Sequence, residues 1–251
     1  MYGNTLIGAN TGTVRDILIK AITVYSPTGE IGGITANNNG TIINVFVGGH
    51  VTGGSAGGVA GTNGGVIENA STNVLVRGGA VGGLVGGNQG TISSSFANAT
   101  VRVGRSGEAG GLVGDNHGTI TNCYAQGSIH AGEQSDAGGL VGYNGAFGDG
   151  PISSSYSTTQ ITALKGSTVG GLIGFDEANT GSIMDTYWDT TTSGVTNTSQ
   201  GAGNVSNDPG ITGLTTSQLQ AGLPAGFNST IWAESSSING GLPYLLTIPP
   251  Q

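Results

Sequence analysis

One residue in five of this 251-residue chain is glycine, 51 in all, against 8% charged side chains and a formal net charge of −8. Six Lys and Arg against fourteen Asp and Glu, with no basic cluster, exclude a nucleic-acid groove or an anionic membrane surface as partner, and no apolar run approaches the ~20 residues of a helical membrane span. No Gly-X-Y period is present, which excludes collagen, and a single cysteine cannot close an internal disulfide.

Aromatic residues make up only 6% of the chain, so small aliphatic and β-branched side chains must fill any core. The opening MYGNTLIGANTG has neither the charged nor the apolar region of a signal peptide, and the chain reads as an excised segment or a processed form. Abundant Asn, Thr, Ser and Gly with little Lys and Cys fits a bacterial secreted or surface protein.

From the N-terminus onward one unit recurs. Its copies align on Leu6, Ile34, Val59, Leu84, Leu112, Leu140 and Leu172, with steps of 28, 25, 25, 28, 28 and 32 residues. The first copy, NTLIGANTGTV, lacks the glycine pair found in GGITANNNGTI, GGVAGTNGGVI, GGLVGGNQGTI and GGLVGDNHGTI, and the last two lengthen to GGLVGYNGAFGDGPI and GGLIGFDEANTGSI. A second apolar column holds Val14, Ile42, Ile67, Ile92, Ile120, Ile152 and Ile183, followed four residues on by Leu18, Phe46, Ser71, Phe96, Tyr124, Tyr156 and Tyr187. A third run shows as NVLVRG, ATVRVG and GSIHAG. Alternation over about four to six residues, bounded by Gly and Asn, predicts short strands rather than helices.

A unit this small cannot bury an apolar face alone, whereas copies stacked as rungs share one core. The expected fold is therefore an all-β parallel β-solenoid of about seven rungs over residues 1–188, with core columns Leu84, Leu112, Leu140 and Leu172 and Ile92, Ile120, Ile152 and Ile183. The column Asn10, Asn38, Asn63, Asn88, Asn116 and Asn144, with Asp176 in the last copy, predicts a ladder of stacked amides. A second polar column, Asp16, Asn44, Asn69, Ser94, Asn122, Ser154 and Asp185, predicts a corner whose facing spacing alone does not set. The inserted AFGDGP and DEANTG are the expected variable surface loops.

After Trp188 the repeat stops. Residues 189–251 read as a polar loop and a C-terminal cap: a short helix in TTSQLQAG begun by Thr or Ser, a final strand in GLPYLL, and Leu219, Leu223, Trp232 and Tyr244 covering an otherwise open solenoid end.

The chemistry offered by single residues is sparse. Cys123 shares its column with Ile17, Val45, Ala70, Ser95, Ser155 and Thr186, which makes it a small filler rather than a nucleophile. His50, His117 and His130 lack ligand spacing, Asp136 and Asp149 are lone loop residues, and neither a metal nor a cofactor is expected. The strongest acidic candidate is a surface site of Asp185 and Asp189 beside Trp188, the arrangement a polysaccharide hydrolase or lyase needs, although Asp185 falls in a column of turn residues.

The stretches GGLVGGNQGTISSSFANATVRVG and GGLVGDNHGTITNCYAQGSIHAG closely resemble the GLUG motif of large bacterial exported proteins, including filamentous-haemagglutinin-like adhesins. The ending, with YWD, TSG, GLTTSQL, a Trp and GGLPYL in that order, is similar to the close of such arrays. The resemblance implies a non-catalytic extracellular or cell-surface module, carried on a long parent protein. Its partner would be a host or neighbouring cell surface or a glycan. Some GLUG-bearing proteins are IgA-specific metallopeptidases, but their zinc chemistry lies outside the repeats, and no HExxH occurs here. Two alternatives remain open: a carbohydrate-binding or carbohydrate-cleaving β-helix, and a filament subunit that associates end to end.

Overall fold

The computed structural model describes residues 5–145, 150–177 and 182–250. The chain winds into a parallel β-solenoid. Each rung gives one four-residue strand to a seven-stranded parallel sheet: Ile7–Asn10, Thr35–Asn38, Ala60–Asn63, Val85–Asn88, Val113–Asn116, Val141–Asn144 and Ile173–Asp176. The rest of each rung joins a fifteen-stranded sheet that closes the other faces, in strands such as Thr41–Thr52, Val66–Gly82 and Phe96–Gly110. At a strand spacing of ~4.8 Å, seven rungs span roughly 34 Å.

Equivalent residues stack directly. Ile67, Ile92, Ile120, Ile152 and Ile183 are register partners from rung to rung. The N–H of Leu84 donates to the Leu112 carbonyl at 2.9 Å, Leu112 to Leu140 at 2.9 Å and Leu140 to Leu172 at 2.8 Å. All four leucines are fully buried, but Leu6, aligned with them in the first copy, is 60% exposed because no described rung lies above it.

The repeated glycines are set by close approach. At the corner between the two sheets, a Cβ on Gly110 would collide with the Val113 carbonyl oxygen, and the neighbouring Gly111 faces the Gly139 carbonyl of the next rung. Any side chain there would push the sheets apart, so the motif carries glycine for room rather than for flexibility.

The second polar column proves to be a row of left-handed residues. Asp16, Asn44, Asn69, Ser94, Asn122, Ser154 and Asp185 have φ between 45° and 56°, a region that short polar side chains tolerate best after glycine. This kink shifts the inward phase by one residue: Ile42 points in, Asn44 is exposed, and Val45 and Val47 are again buried. The N–H after the kink is recovered by a side chain from the next rung, as when the Ser95 hydroxyl accepts from Ala70 N–H and the Ser155 hydroxyl from Cys123 N–H, each at 3.0 Å.

The same phase shift turns the Phe/Tyr column outward, and this decides what the C-terminal segment does. Phe96, Tyr124, Tyr156 and Tyr187 form a second core with Leu219, Phe227, Trp232 and Leu245, outside the solenoid interior. Phe96 stacks on Tyr124 at 4.6 Å and Tyr124 on Tyr156 at 5.2 Å. The cap thus lies along the side of the rod rather than across its end. The helix is the single turn Thr216–Leu219, begun by Thr215 and Gln218 in a capping box. The final strand, Tyr244–Leu245, pairs antiparallel with Trp232–Ala233. Leu245 occupies the core position while Tyr244 stays half-buried, the reverse of the expected facing, because successive strand residues face opposite sides.

The end of the stack is covered differently. Ile211–Leu214 pairs parallel with Thr186–Asp189, and Gly210, φ 89°, takes the place that Asp185 holds one rung earlier. A partial eighth rung therefore extends past Trp188, with Gly201 accepting from the Leu172 and Ile173 N–H groups. The repeat fades from the sequence before it leaves the fold.

Candidate functional site

The amide ladder is continuous. Asn10 donates its side-chain N–H to the Oδ1 of Asn38 at 2.7 Å, and the same bond runs from Asn38 to Asn63, Asn63 to Asn88, Asn88 to Asn116 and Asn116 to Asn144 at 2.7–2.8 Å. Every amide points its donor toward the C-terminal end. The series closes on Asp176, whose carboxylate accepts from Asn144 at 2.9 Å and has no donor to pass on. Asn204 then stands in for a further strand, accepting from the Asp176 N–H at 2.7 Å and donating to its carbonyl at 2.8 Å. Burial, and a hydrogen bond to Asp176, push the Asp208 carboxyl up to about 7.

The surface site expected around Asp185, Trp188 and Asp189 does not form. Trp188 and Asp189 are fully buried. Trp188 belongs to the solenoid core, its indole donating to the Val195 carbonyl at 3.3 Å. Asp189 is a turn cap that accepts from Thr191 N–H at 2.8 Å and from the Thr216 hydroxyl at 2.6 Å. Asp185 is the kink residue, packed against Gly226 of the cap. With Asp189 buried, the two carboxylates line no common exposed groove.

Cys123 is fully buried, and burial pushes its thiol up to about 12, which leaves it inert as a nucleophile. Among the described residues, no group of three or more His, Cys, Asp or Glu side chains is placed to hold a metal ion. The insertions AFGDGP and DEANTG, with Asp149, fall largely outside the described residues.

A different acidic cluster appears on the ridge where the two sheets meet. Asp136 is no isolated loop residue: it opens the strand Asp136–Gly138 in direct register with Glu108. Beside this pair runs the outward column Asp115, Tyr143 and Phe175. Tyr143 and Phe175 stack at 5.9 Å, the Tyr143 hydroxyl donates to Glu177 at 2.6 Å, and His117 pairs with Asp115 at 3.1 Å. Burial, with help from Asp115 and Asp136, raises the Glu108 carboxyl to about 7; burial also raises Asp115, against the pull of His117, and Asp136. Glu108 thus holds its proton to higher pH than an exposed carboxyl does. A 28-residue step aligns 108 with 136 and 115 with 143, so this cluster was available in the repeat spacing once outward columns were followed as closely as inward ones.

A family model described as the GLUG motif matches residues 77–102 and 106–129. These two stretches carry the GLUG motif. Both matched stretches fall on the middle rungs, where the glycine pair, the ladder Asn and the Ile column are all present. The chain is also similar in fold to a solved structure titled IgA1 Protease, with a TM-score of 0.59 and 20% identity over 74% of this chain and 17% of that one. The chain therefore spans under a fifth of that protein's length, and the likeness is one of fold. No curated protein matched the chain.

Proposed function

We propose that this chain is a non-catalytic structural and adhesive module of a bacterial exported surface protein, a stiff solenoid that holds loops and side-chain columns away from a cell. The observation that carries the reading is the amide ladder, which ties all seven rungs by buried hydrogen bonds along one axis. Stiffness follows because bending the rod would lengthen several of these bonds together. Avidity across many such modules would offset weak single contacts.

The test couples shape to adhesion. The purified chain should give a β-sheet circular dichroism spectrum and rod-like small-angle scattering, and beads coated with it should be retained on cells or immobilised glycans above beads carrying a globular protein of equal charge. A coil-like spectrum, or retention no better than the control, rejects the reading.

A further inference from the structure

We propose that a column of stacked basic side chains on one flank of the rod, Arg77, Arg102 and His130, is the docking surface for a linear polysaccharide bearing carboxylates. The proposal rests on the adhesive reading above and names its ligand class and contact residues. No basic cluster is visible along the sequence, because stacking builds it. Steps of 25 and 28 residues place Arg77 in register with Arg102 and Arg102 with His130. Both arginines are exposed, and among the described residues neither has an ion-pair partner. Like charges directly opposite on neighbouring strands repel, so the column gains most from an anion laid over it.

This flank is set apart from the rest of an acidic chain. Residues 21–25, 48–52, 73–77, 98–103, 126–131 and 158–163 follow one another in the sheet. They hold two of the three histidines and none of the fourteen Asp and Glu. Acids return past the strand ends, as at Glu133, in the turn where Arg105 donates to Gln134 at 2.6 Å.

The neighbouring columns choose a polysaccharide over a peptide. Leu75, Thr100, Ser128 and Gln160 run beside the basic column, and Asn73, Asn98 and Gln126 run beyond them. A groove of about 350 Å³ opens there, with His50, Asn73, Asn98 and Thr100 in its lining. Hydroxyls and carboxamides both donate and accept, which matches sugar hydroxyls, and a guanidinium fork matches the two oxygens of a carboxylate. The strand Phe96–Gly110 is paired on both edges, so its backbone offers an extended peptide nothing to add to. Successive basic groups lie one rung, ~4.8 Å, apart along the rod axis, so a chain laid along that axis meets the column with successive acidic sugars.

The experiment is isothermal titration of the full chain at low salt with hexagalacturonate, with a glutamate-rich peptide, chitohexaose and a sulfated hexasaccharide as comparisons. Hexagalacturonate should bind saturably, with an affinity that falls as salt rises. Arg77→Gln and Arg102→Gln should each weaken it about three- to tenfold, and the double variant should abolish binding with the circular dichroism spectrum unchanged. Arg15→Gln, which removes an equal charge from a different column, should leave the affinity within about twofold. No binding at millimolar concentration, binding that survives the double variant, an equal loss in Arg15→Gln, or tighter binding of any comparison ligand overturns the assignment. A chain that remains rod-like and adheres to cells while showing no response to hexagalacturonate refutes this site and leaves the module reading intact.

Discussion

Replacing Asn88 by Ala breaks the amide ladder at its middle, and the cost can be worked bond by bond. Asn88 is 1% exposed, accepts from Asn63 at 2.8 Å and donates to Asn116 at 2.8 Å. Without it, the Asn63 amide keeps longer bonds to the Gly65 and Thr91 carbonyls at 3.3 and 3.4 Å, so that loss sits near the lower end of the ~1–3 kcal/mol for an orphaned buried group. The Oδ1 of fully buried Asn116 loses its ladder donor, which sits near the upper end. The Gly90 N–H also loses its acceptor at 3.3 Å. The expected destabilisation is about 3–5 kcal/mol. Asn10→Ala leaves the buried Asn38 Oδ1 without its ladder donor and the Gly12 N–H without its acceptor at 3.1 Å but orphans no second ladder amide among the described residues, and should cost about 2–3 kcal/mol. Guanidinium unfolding followed by circular dichroism measures both. Equal losses for the two variants would refute the ladder as a cooperative element.

Gly110→Ala drives a methyl group into the Val113 carbonyl and should cost at least about 3 kcal/mol or leave the protein insoluble, whereas Gly104→Ala, with open space around its Cβ, should change the unfolding midpoint by no more than about 0.5 kcal/mol. Trp232 is fully buried against Tyr124, Tyr156 and Phe227 and donates to Asn122 at 3.1 Å. Trp232→Ala should cost about 3–5 kcal/mol, and limited proteolysis should then cut within 215–250 before the rungs. The raised carboxyls of Glu108 and Asp208, each about 7, hold protons in the folded chain at pH values where the unfolded chain has released them. Their contribution is therefore fully present below pH ~4 and is lost as pH rises toward ~7. Melting temperatures should fall over that window, and Glu108→Gln should flatten the slope; an unchanged slope would remove Glu108 as its source.

The periodic part of the molecule was legible in its residues because stacking places equivalent positions directly above one another. Leu84, Leu112, Leu140 and Leu172, and the Asn column down to Asp176, follow from counting alone, since a rung that slipped would bury polar groups without partners. The role of Cys123 as a small filler followed the same way, from its neighbours in the column.

Facing and closure were decided only in three dimensions. One left-handed residue per rung shifts the inward phase, sending the Phe/Tyr column outside, and alternation counted without that kink gives the wrong side. With the rings outside, the C-terminal segment is drawn along the flank, Trp188 sinks into the interior and Asp189 becomes a turn cap. The ridge of Glu108, Asp115 and Asp136 likewise depends on which columns meet at a corner. Repeat spacing specifies what stacks on what, but the direction a side chain takes depends on backbone angles that the tertiary contacts select.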